Sequence, residues 1–273
     1  MLLGIFAILS GAAAVAYGFA ARITAVEIWK CALAFVLAMA ALIALFLLFA
    51  AAVSLFISPA WPKKKQSAVC RFLVAQGGGL LCALCGVRTH VSGLEKLPED
   101  GRFLLVVNHR SAFDPLSQFY PLRRYNLAYI SKPENLKLPV VGRVVLGDCF
   151  LPIDRNNDRE AIKSILAAVE YMKKDLCSIC IYPEGTRSKT GELLPFHAGS
   201  FKIAQRAGVP LVIAACSGSE NVKKNMFLRP THVYLDVLEV MDAERVKAMT
   251  TAELSDYARE RIAQGLKARE EKA

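Results

Sequence analysis

Leu104-Leu105-Val106-Val107-Asn108-His109-Arg110-Ser111-Ala112-Phe113-Asp114-Pro115 sets four consecutive apolar residues directly before a polar, ionisable run. A short apolar run without alternation is the pattern of a strand covered on both faces. A polar segment just past such a strand is where open α/β sheets keep their sites. His109 and Asp114 stand five residues apart, close enough for a turn or a helix start to bring carboxylate to imidazole. An Asp that accepts from one ring nitrogen fixes the tautomer and leaves the other nitrogen as a base. A structural histidine capping the strand fits the same spacing.

Outward from that stretch, strand-like runs alternate with helical ones. Phe103–Asn108, Leu127–Ser131, Cys149–Ile153, Ser178–Pro183, Leu211–Cys216 and His232–Val240 read as strands. Asp158–Lys174 reads as a helix with Ile162, Ile165, Leu166, Val169 and Met172 on one apolar stripe, and Asn157 with Glu160 resembles a capping box. Phe201–Ala207 belongs to another helix, ended by Gly208 and Pro210, and Thr250 with Glu253 caps a last one whose polar end, 267–273, is expected to fray. The pattern predicts an α/β domain, a mixed, largely parallel sheet flanked by helices, preceded by an N-terminal hydrophobic helical hairpin.

The hairpin follows from where the hydrophobicity is pooled. The 273 residues are 54% hydrophobic and 21% charged with a formal net charge of +10, which excludes disordered, collagen-like and purely disulfide-stapled chains. Residues 1–21 and 31–61 hold no charged side chain. At about 1.5 Å per residue the two runs reach roughly 31 and 46 Å, against a hydrocarbon thickness of about 30 Å. Both can span a bilayer, and the second must tilt, protrude or end early near Pro59 and Pro62. A cleaved signal peptide and a hairpin lying only in the interface are the competing readings of this region.

Lys63-Lys64-Lys65 follows the second run, whereas Glu27 offsets Arg22 and Lys30 between the two runs, so the heavier positive flank lies with the C-terminal bulk and predicts that residues 62–273 stand on the cytoplasmic face of the cell membrane. The expected organisation is a membrane hairpin over 1–61, an interfacial connecting segment over 62–90, broken by Gly77-Gly78-Gly79, and an α/β domain over 91–273. Residues 62–273 carry 32 basic and 23 acidic side chains, so +9 of the charge belongs to them. That charge suits membrane lipids or an anionic substrate. Zinc-finger spacing and ribonucleoprotein aromatics are absent from the sequence, so no nucleic-acid partner is expected.

Two cysteine pairs have CxxC spacing, Cys82/Cys85 and Cys177/Cys180. On a strand, residues three apart point to opposite faces, and the first pair has no second ligand pair nearby, so buried reduced thiols and no metal are expected.

Two further segments end strands. Tyr182-Pro183-Glu184-Gly185-Thr186-Arg187-Ser188 offers a glycine turn, backbone amides and a guanidinium suited to a phosphate. Gly147-Asp148-Cys149-Phe150-Leu151-Pro152-Ile153-Asp154-Arg155 brings a second arginine. With His109 and Asp114, the three strand ends suggest a base beside an anion pocket.

Over residues 90–220 the sequence resembles the glycerolipid acyltransferases, specifically the 1-acylglycerol-3-phosphate (lysophosphatidic acid) acyltransferase family. The four blocks occur in order: His109 to Asp114 as His-x4-Asp, Gly147 to Arg155, Glu184-Gly185-Thr186-Arg187, and Val209-Pro210-Leu211-Val212. Pro152 is a small departure in the second block.

The resemblance implies that His109, oriented by Asp114, takes the proton of the free sn-2 glycerol hydroxyl as it attacks an acyl thioester. Acyl-CoA or acyl-carrier protein is then the co-substrate, no other cofactor is required, and phosphatidic acid is the product, made for phospholipid synthesis. It implies that Glu184, Gly185, Thr186 and Arg187 bind the substrate phosphate, with Lys132 and Arg155 as further candidate cations. Ser111 lacks the elbow of a nucleophile. His197 and His232 lie outside the blocks and read as structural. Another lysophospholipid or glycerol 3-phosphate is the alternative acceptor; a metal-dependent phosphohydrolase and a non-catalytic anionic-lipid-binding membrane protein are the alternatives of another class.

Overall fold

The computed structural model describes residues 2–24, 27–154, 157–188 and 190–271. The chain divides into two compact units, Met1–Ile57 and Ser58–Ala273. The first is a pair of packed helices, α1 (Leu2–Ala20) and α2 (Trp29–Leu55), both long and apolar enough to cross a membrane. Helix α2 ends before Pro59, so the early ending is the one adopted, and most of its large side chains, among them Leu37, Leu45, Leu48 and Phe49, face outward.

The second unit opens with α3 (Ala68–Leu84), a single helix that runs through Gly77-Gly78-Gly79. The glycines do not break it because they form a notch: a Cβ at Gly78 would lie 2.7 Å from Phe119 Cδ2, and one at Gly79 would lie 3.3 Å from Tyr120 Cβ. Eight of its residues are buried, so the expected connecting segment is a core helix of the α/β unit, while Val69, Phe72, Leu81 and Leu84 stay exposed.

After α3 come β1 (Val87–Ser92), β2 (Leu104–Val107), α4 (Phe113–Phe119), β3 (Leu127–Ser131), α5 (Pro133–Leu136), α6 (Val141–Gly147), β4 (Leu151–Pro152), α7 (Asp158–Lys173) and β5 (Ser178–Ile181). The chain finishes with α8 (Lys202–Ala207), β6 (Leu211–Ser217), α9 (Val222–Asn225), β7 (Thr231–Met241), α10 (Ala243–Ala248) and α11 (Thr251–Glu270). The described strands form one sheet in the order β1-β7-β6-β2-β5-β3-β4. Strands β2 to β6 are parallel, β7 is antiparallel to β6, and β1 is parallel to β7. The mixed, largely parallel sheet is the one expected.

Leu104, Leu105, Val106 and Val107 are all at most 2% exposed. Burial of each side chain is worth roughly 1.5–3 kcal/mol, which fixes β2 at the sheet centre. Strand β7 instead alternates, with Val233, Leu235 and Val237 inward and His232, Tyr234 and Asp236 outward, as a half-covered strand does. Pro152, which cannot donate to a ladder, sits in the two-residue edge strand β4.

Three expectations change. Strand β1 is not among the expected strands, and it crosses the expected boundary between residues 90 and 91. On α7, Ile162 and Leu166 face outward, at 56% and 45% exposure, because the small residues Ser164, Ala167 and Ala168 let the helix approach the sheet closely, with Ser164 Oγ donating to the Pro152 carbonyl. Helix α11 continues to Glu270 behind a full Thr250–Glu253 capping box instead of fraying at Lys267. Asn157 does cap α7, its side chain accepting from the Glu160 amide.

All eight cysteines are free thiols, seven of them buried. Burial pushes the Cys82 thiol up to about 12, away from the thiolate that binds metal. Among the described residues no group of three or more His, Cys, Asp or Glu side chains is placed to hold a metal.

Asp148, at the end of α6, is 1% exposed and accepts from Gln66 Nε2 at 2.9 Å. Burial pushes its carboxyl well above the usual value of 3.8, against the pull of Arg71. The folded state therefore holds a proton that the unfolded chain loses near pH 4, and this contribution to stability disappears as pH rises through the raised value. Asp148→Asn keeps the acceptor for Gln66 and removes that loss: its Tm should exceed that of the parent at pH 8, with the gap closing toward pH 5, as thermal melts in detergent would show.

Candidate active site

The parallel strands β2, β5, β3 and β4 end at one edge of the sheet, so their following loops are neighbours. His109 follows β2, Glu184 to Arg187 follow β5, and Lys132 follows β3 as the cap residue of α5. At about 4.8 Å per strand, the β3 backbone lies roughly 10 Å from that of β2. Arg155, expected beyond β4, lies outside the described residues.

Asp114, in the first turn of α4, is fully buried. Its Oδ2 meets His109 Nδ1 at 2.7 Å and accepts from the amides of Arg110 at 2.7 Å and Ser111 at 2.8 Å. Its Oδ1 accepts from Ser219 Oγ and, at 3.6 Å, from Cys216 Sγ. The five-residue spacing thus closes as a loop whose own amides turn onto the carboxylate. With Nδ1 held, Nε2 is the nitrogen of His109 left to exchange a proton, and the ring is 16% exposed, reachable by a substrate. Tyr182 stacks on it, centroids 4.3 Å apart. The Ser111 hydroxyl accepts from the Phe113 amide and caps the turn.

The loop after β5 is laced to the same histidine. Glu184 Oε1 accepts from the His109 amide, Oε2 accepts from the Leu194 amide at 3.0 Å, and the Ser188 amide donates to the His109 carbonyl at 2.9 Å. Burial raises the Glu184 carboxyl, and the amides of His109 and Leu194 pull it back. Gly185, buried at φ 72°, turns the chain, and its amide donates to the Tyr182 carbonyl.

Direct phosphate contacts from Glu184 and Gly185 do not fit these bonds. Both carboxylate oxygens and the glycine amide are engaged within the protein, and a carboxylate repels phosphate. Glu184 instead ties its loop to the His109 amide, and Gly185 turns that loop. Thr186 and Arg187 are exposed on the rim, as is Lys132, and all three remain free to meet an anion. Among the described residues Arg187 has no carboxylate partner.

Several contributors carried no signal in the sequence. Asn108, 1% exposed, donates from Nδ2 to the Cys216 carbonyl at 2.8 Å and accepts from the Cys216 amide at 2.7 Å, extending the β2–β6 ladder with a side chain. Ser219 lies 105 residues from Asp114 in a stretch without a motif. Arg110 pairs with Glu220 at 3.4 Å. His197 is an exposed residue whose amide donates to the Pro183 carbonyl, and His232 is exposed on β7, where it meets His90.

Residues 88–217, which span every one of these strand ends, match the family model described as Acyltransferase. Residues 88–217 belong to the acyltransferase family. A 1-acyl-sn-glycerol-3-phosphate acyltransferase of Borreliella burgdorferi is 26% identical over 67% of this chain and 73% of its own. The Salmonella typhimurium enzyme of the same name is 29% identical over 66% and 74%. The human 1-acyl-sn-glycerol-3-phosphate acyltransferase beta is 33% identical over 63% of this chain and 62% of its own. In fold, the chain is similar to the crystal structure of the 1-acyl-sn-glycerophosphate (LPA) acyltransferase of Thermotoga maritima, with a TM-score of 0.64, 20% identity and 98% of both chains covered. The acyltransferase domain therefore keeps its His-x4-Asp block and its Glu-Gly-Thr-Arg block in mutual contact through the backbone of one histidine.

A bracing role and a phosphate-contact role for Glu184 separate by experiment. Glu184→Gln replaces one acceptor by a donor facing a buried N–H, at a cost of about 1–3 kcal/mol, or about 3–10 °C in Tm. Its kcat should fall at least tenfold while KM for the acceptor changes less than twofold; a rise in KM alone would make Glu184 a substrate contact.

Proposed function

We propose that this protein is a membrane-bound acyltransferase that moves a fatty acyl group from acyl-CoA or acyl-carrier protein to the free sn-2 hydroxyl of lysophosphatidic acid, giving phosphatidic acid in phospholipid synthesis. The observation that carries the reading is the shared scaffold: Asp114 holds the ring of His109, and Glu184 and Ser188 hold its backbone, which sets the rim residue Arg187 one position from an amide bonded to His109. A candidate base and an exposed guanidinium are thereby carried on one hydrogen-bonded scaffold, an arrangement suited to transfer to a phosphorylated alcohol. The printed names of the relatives support the same acceptor.

In the reaction, Nε2 of His109 takes the hydroxyl proton as the oxygen attacks the thioester carbonyl. The tetrahedral intermediate collapses to the ester, and the departing thiolate takes the proton back from the imidazolium. Arg187, with Thr186 and Lys132 as further rim groups, would hold the acceptor phosphate. No covalent acyl-enzyme and no further cofactor is needed. Acceptor and product carry acyl chains, so attachment to the membrane through α1 and α2 keeps substrate and site in one phase. Lys63-Lys64-Lys65 favours a cytoplasmic face for the catalytic unit.

Purified protein supplied with acyl-CoA or acyl-carrier donors and a panel of lysolipids tests the reading, and preference for glycerol 3-phosphate or another lysophospholipid would change the acceptor. His109→Ala should lower kcat by about 10²–10⁴ with folding intact; transfer near the parent rate would remove the base assignment. Arg187→Ala forfeits a charged hydrogen bond of about 1.5–3 kcal/mol, so KM for phosphorylated acceptors should rise roughly ten- to a hundredfold at nearly unchanged kcat.

A further inference from the structure

The connection from β6 to β7 is anchored at both ends and bare at its tip. It leaves β6 at Gly218, φ 84°, where a Cβ would lie 2.2 Å from the His232 carbonyl oxygen, so glycine alone permits the turn. Ser219 then bonds Asp114, and Glu220 pairs with Arg110. Val222 is fully buried at the start of α9. Past α9 the Asn225 carbonyl accepts from the amides of Leu228 at 2.8 Å and Arg229 at 3.0 Å, and the Asn225 side chain accepts from Arg229 Nε at 3.0 Å. The far end is pinned where the Thr231 amide donates to the Gly86 carbonyl at the end of α3.

Between these anchors Phe227 and Leu228 are each 84% exposed, and Phe227 is held at φ 66°, a left-handed conformation that bulky residues rarely adopt. Two adjacent large apolar side chains projected outward by a hydrogen-bonded turn are a costly surface in water and mark an interaction site. Charge identifies what the site meets. Every ionisable residue in 221–230 is a cation, namely Lys223, Lys224 and Arg229, and all three are exposed. Cations around an apolar tip are the composition of an element that enters an anionic lipid interface. Strand β7 is antiparallel to β6, so this connection lies at the edge of the sheet where β2 ends and His109 sits.

We propose that the β6–β7 connection is a bilayer-entering wedge: Phe227 and Leu228 penetrate the acyl boundary of an anionic phospholipid membrane, and Lys223, Lys224 and Arg229 meet its phosphates. The base of the same connection holds Asp114, so lipid contact at the tip is tied by fewer than ten residues to the orientation of the catalytic histidine. The wedge goes beyond the reaction proposed above, and its first test needs no turnover.

The full chain with Trp29→Phe and Trp61→Phe, carrying Phe227→Trp as the reporter, is placed in lipid nanodiscs. In phosphatidylglycerol discs the introduced indole should be blue-shifted, protected from aqueous iodide and quenched at least twofold by brominated acyl chains, with weaker quenching in phosphatidylcholine discs. An indole quenched by iodide and untouched by brominated lipid overturns the proposal. A blue shift that needs two copies per disc and shows no lipid quenching assigns the tip to a second copy and overturns it as well.

In a second arm, Phe227→Ser with Leu228→Ser should lower transfer to an acceptor embedded in phosphatidylglycerol discs at least fivefold and change transfer to a monomeric short-chain acceptor less than twofold. Equal losses in both would make the tip a structural element and count against the wedge. If no acceptor is acylated by the parent chain, the proposed reaction fails while the indole readout still decides the wedge.

Discussion

One carboxylate organises the catalytic edge of this protein. Asp114 has no solvent contact, and its two oxygens gather the His109 ring, two amides of the loop between them, and side chains from the end of β6. A buried carboxylate is expensive unless its lone pairs are filled. Here filling them draws together segments about a hundred residues apart in sequence. The geometry of His109 is thus a consequence of satisfying a buried charge.

The surroundings follow the same logic. Asn108 lends its amide to a ladder that the strands can no longer supply, which closes β2 onto β6 just where the histidine loop begins. Glu184 fills its own oxygens with the amides of His109 and Leu194, which closes β2 onto the β5 loop from the other side. At this edge Asp114 and Glu184 turn inward as acceptors for backbone donors, while Arg187, Lys132, Lys223 and Lys224 remain on the surface.

Much of this was legible because it is local. The apolar run 104–107, the His-x4-Asp spacing and the Thr250–Glu253 box each encode their geometry within a few residues, and the sheet follows from the alternation of strand and helix. What escaped depends on distant partners. Helix α3 reads as interrupted because glycine is a poor helix former, yet the same glycines admit Phe119 and Tyr120, whose approach is visible only in three dimensions. The outward turn of Ile162 and Leu166 has the same origin, since three small residues outcompete two large ones for the closest place against the sheet. The inward turn of Glu184 is of this kind too, because the amides it fills, those of His109 and Leu194, lie in other segments of the chain. Ser219 had no local signal at all.

The bracing of His109 by Glu184 and Ser188 also bears on how such a domain can change over evolutionary time. His109 and the rim proposed to meet the acceptor are parts of one hydrogen-bonded body, and Arg187 is bonded in sequence to the residue that holds the histidine carbonyl. Side chains at Thr186 and Arg187 can be exchanged while the backbone bonds persist, so a new headgroup preference is accessible by drift at the rim. A change of loop length between Pro183 and Ser188 would shift the base itself. Diversification of acceptors should therefore proceed through substitution within a loop of fixed length, leaving chemistry constant while specificity wanders.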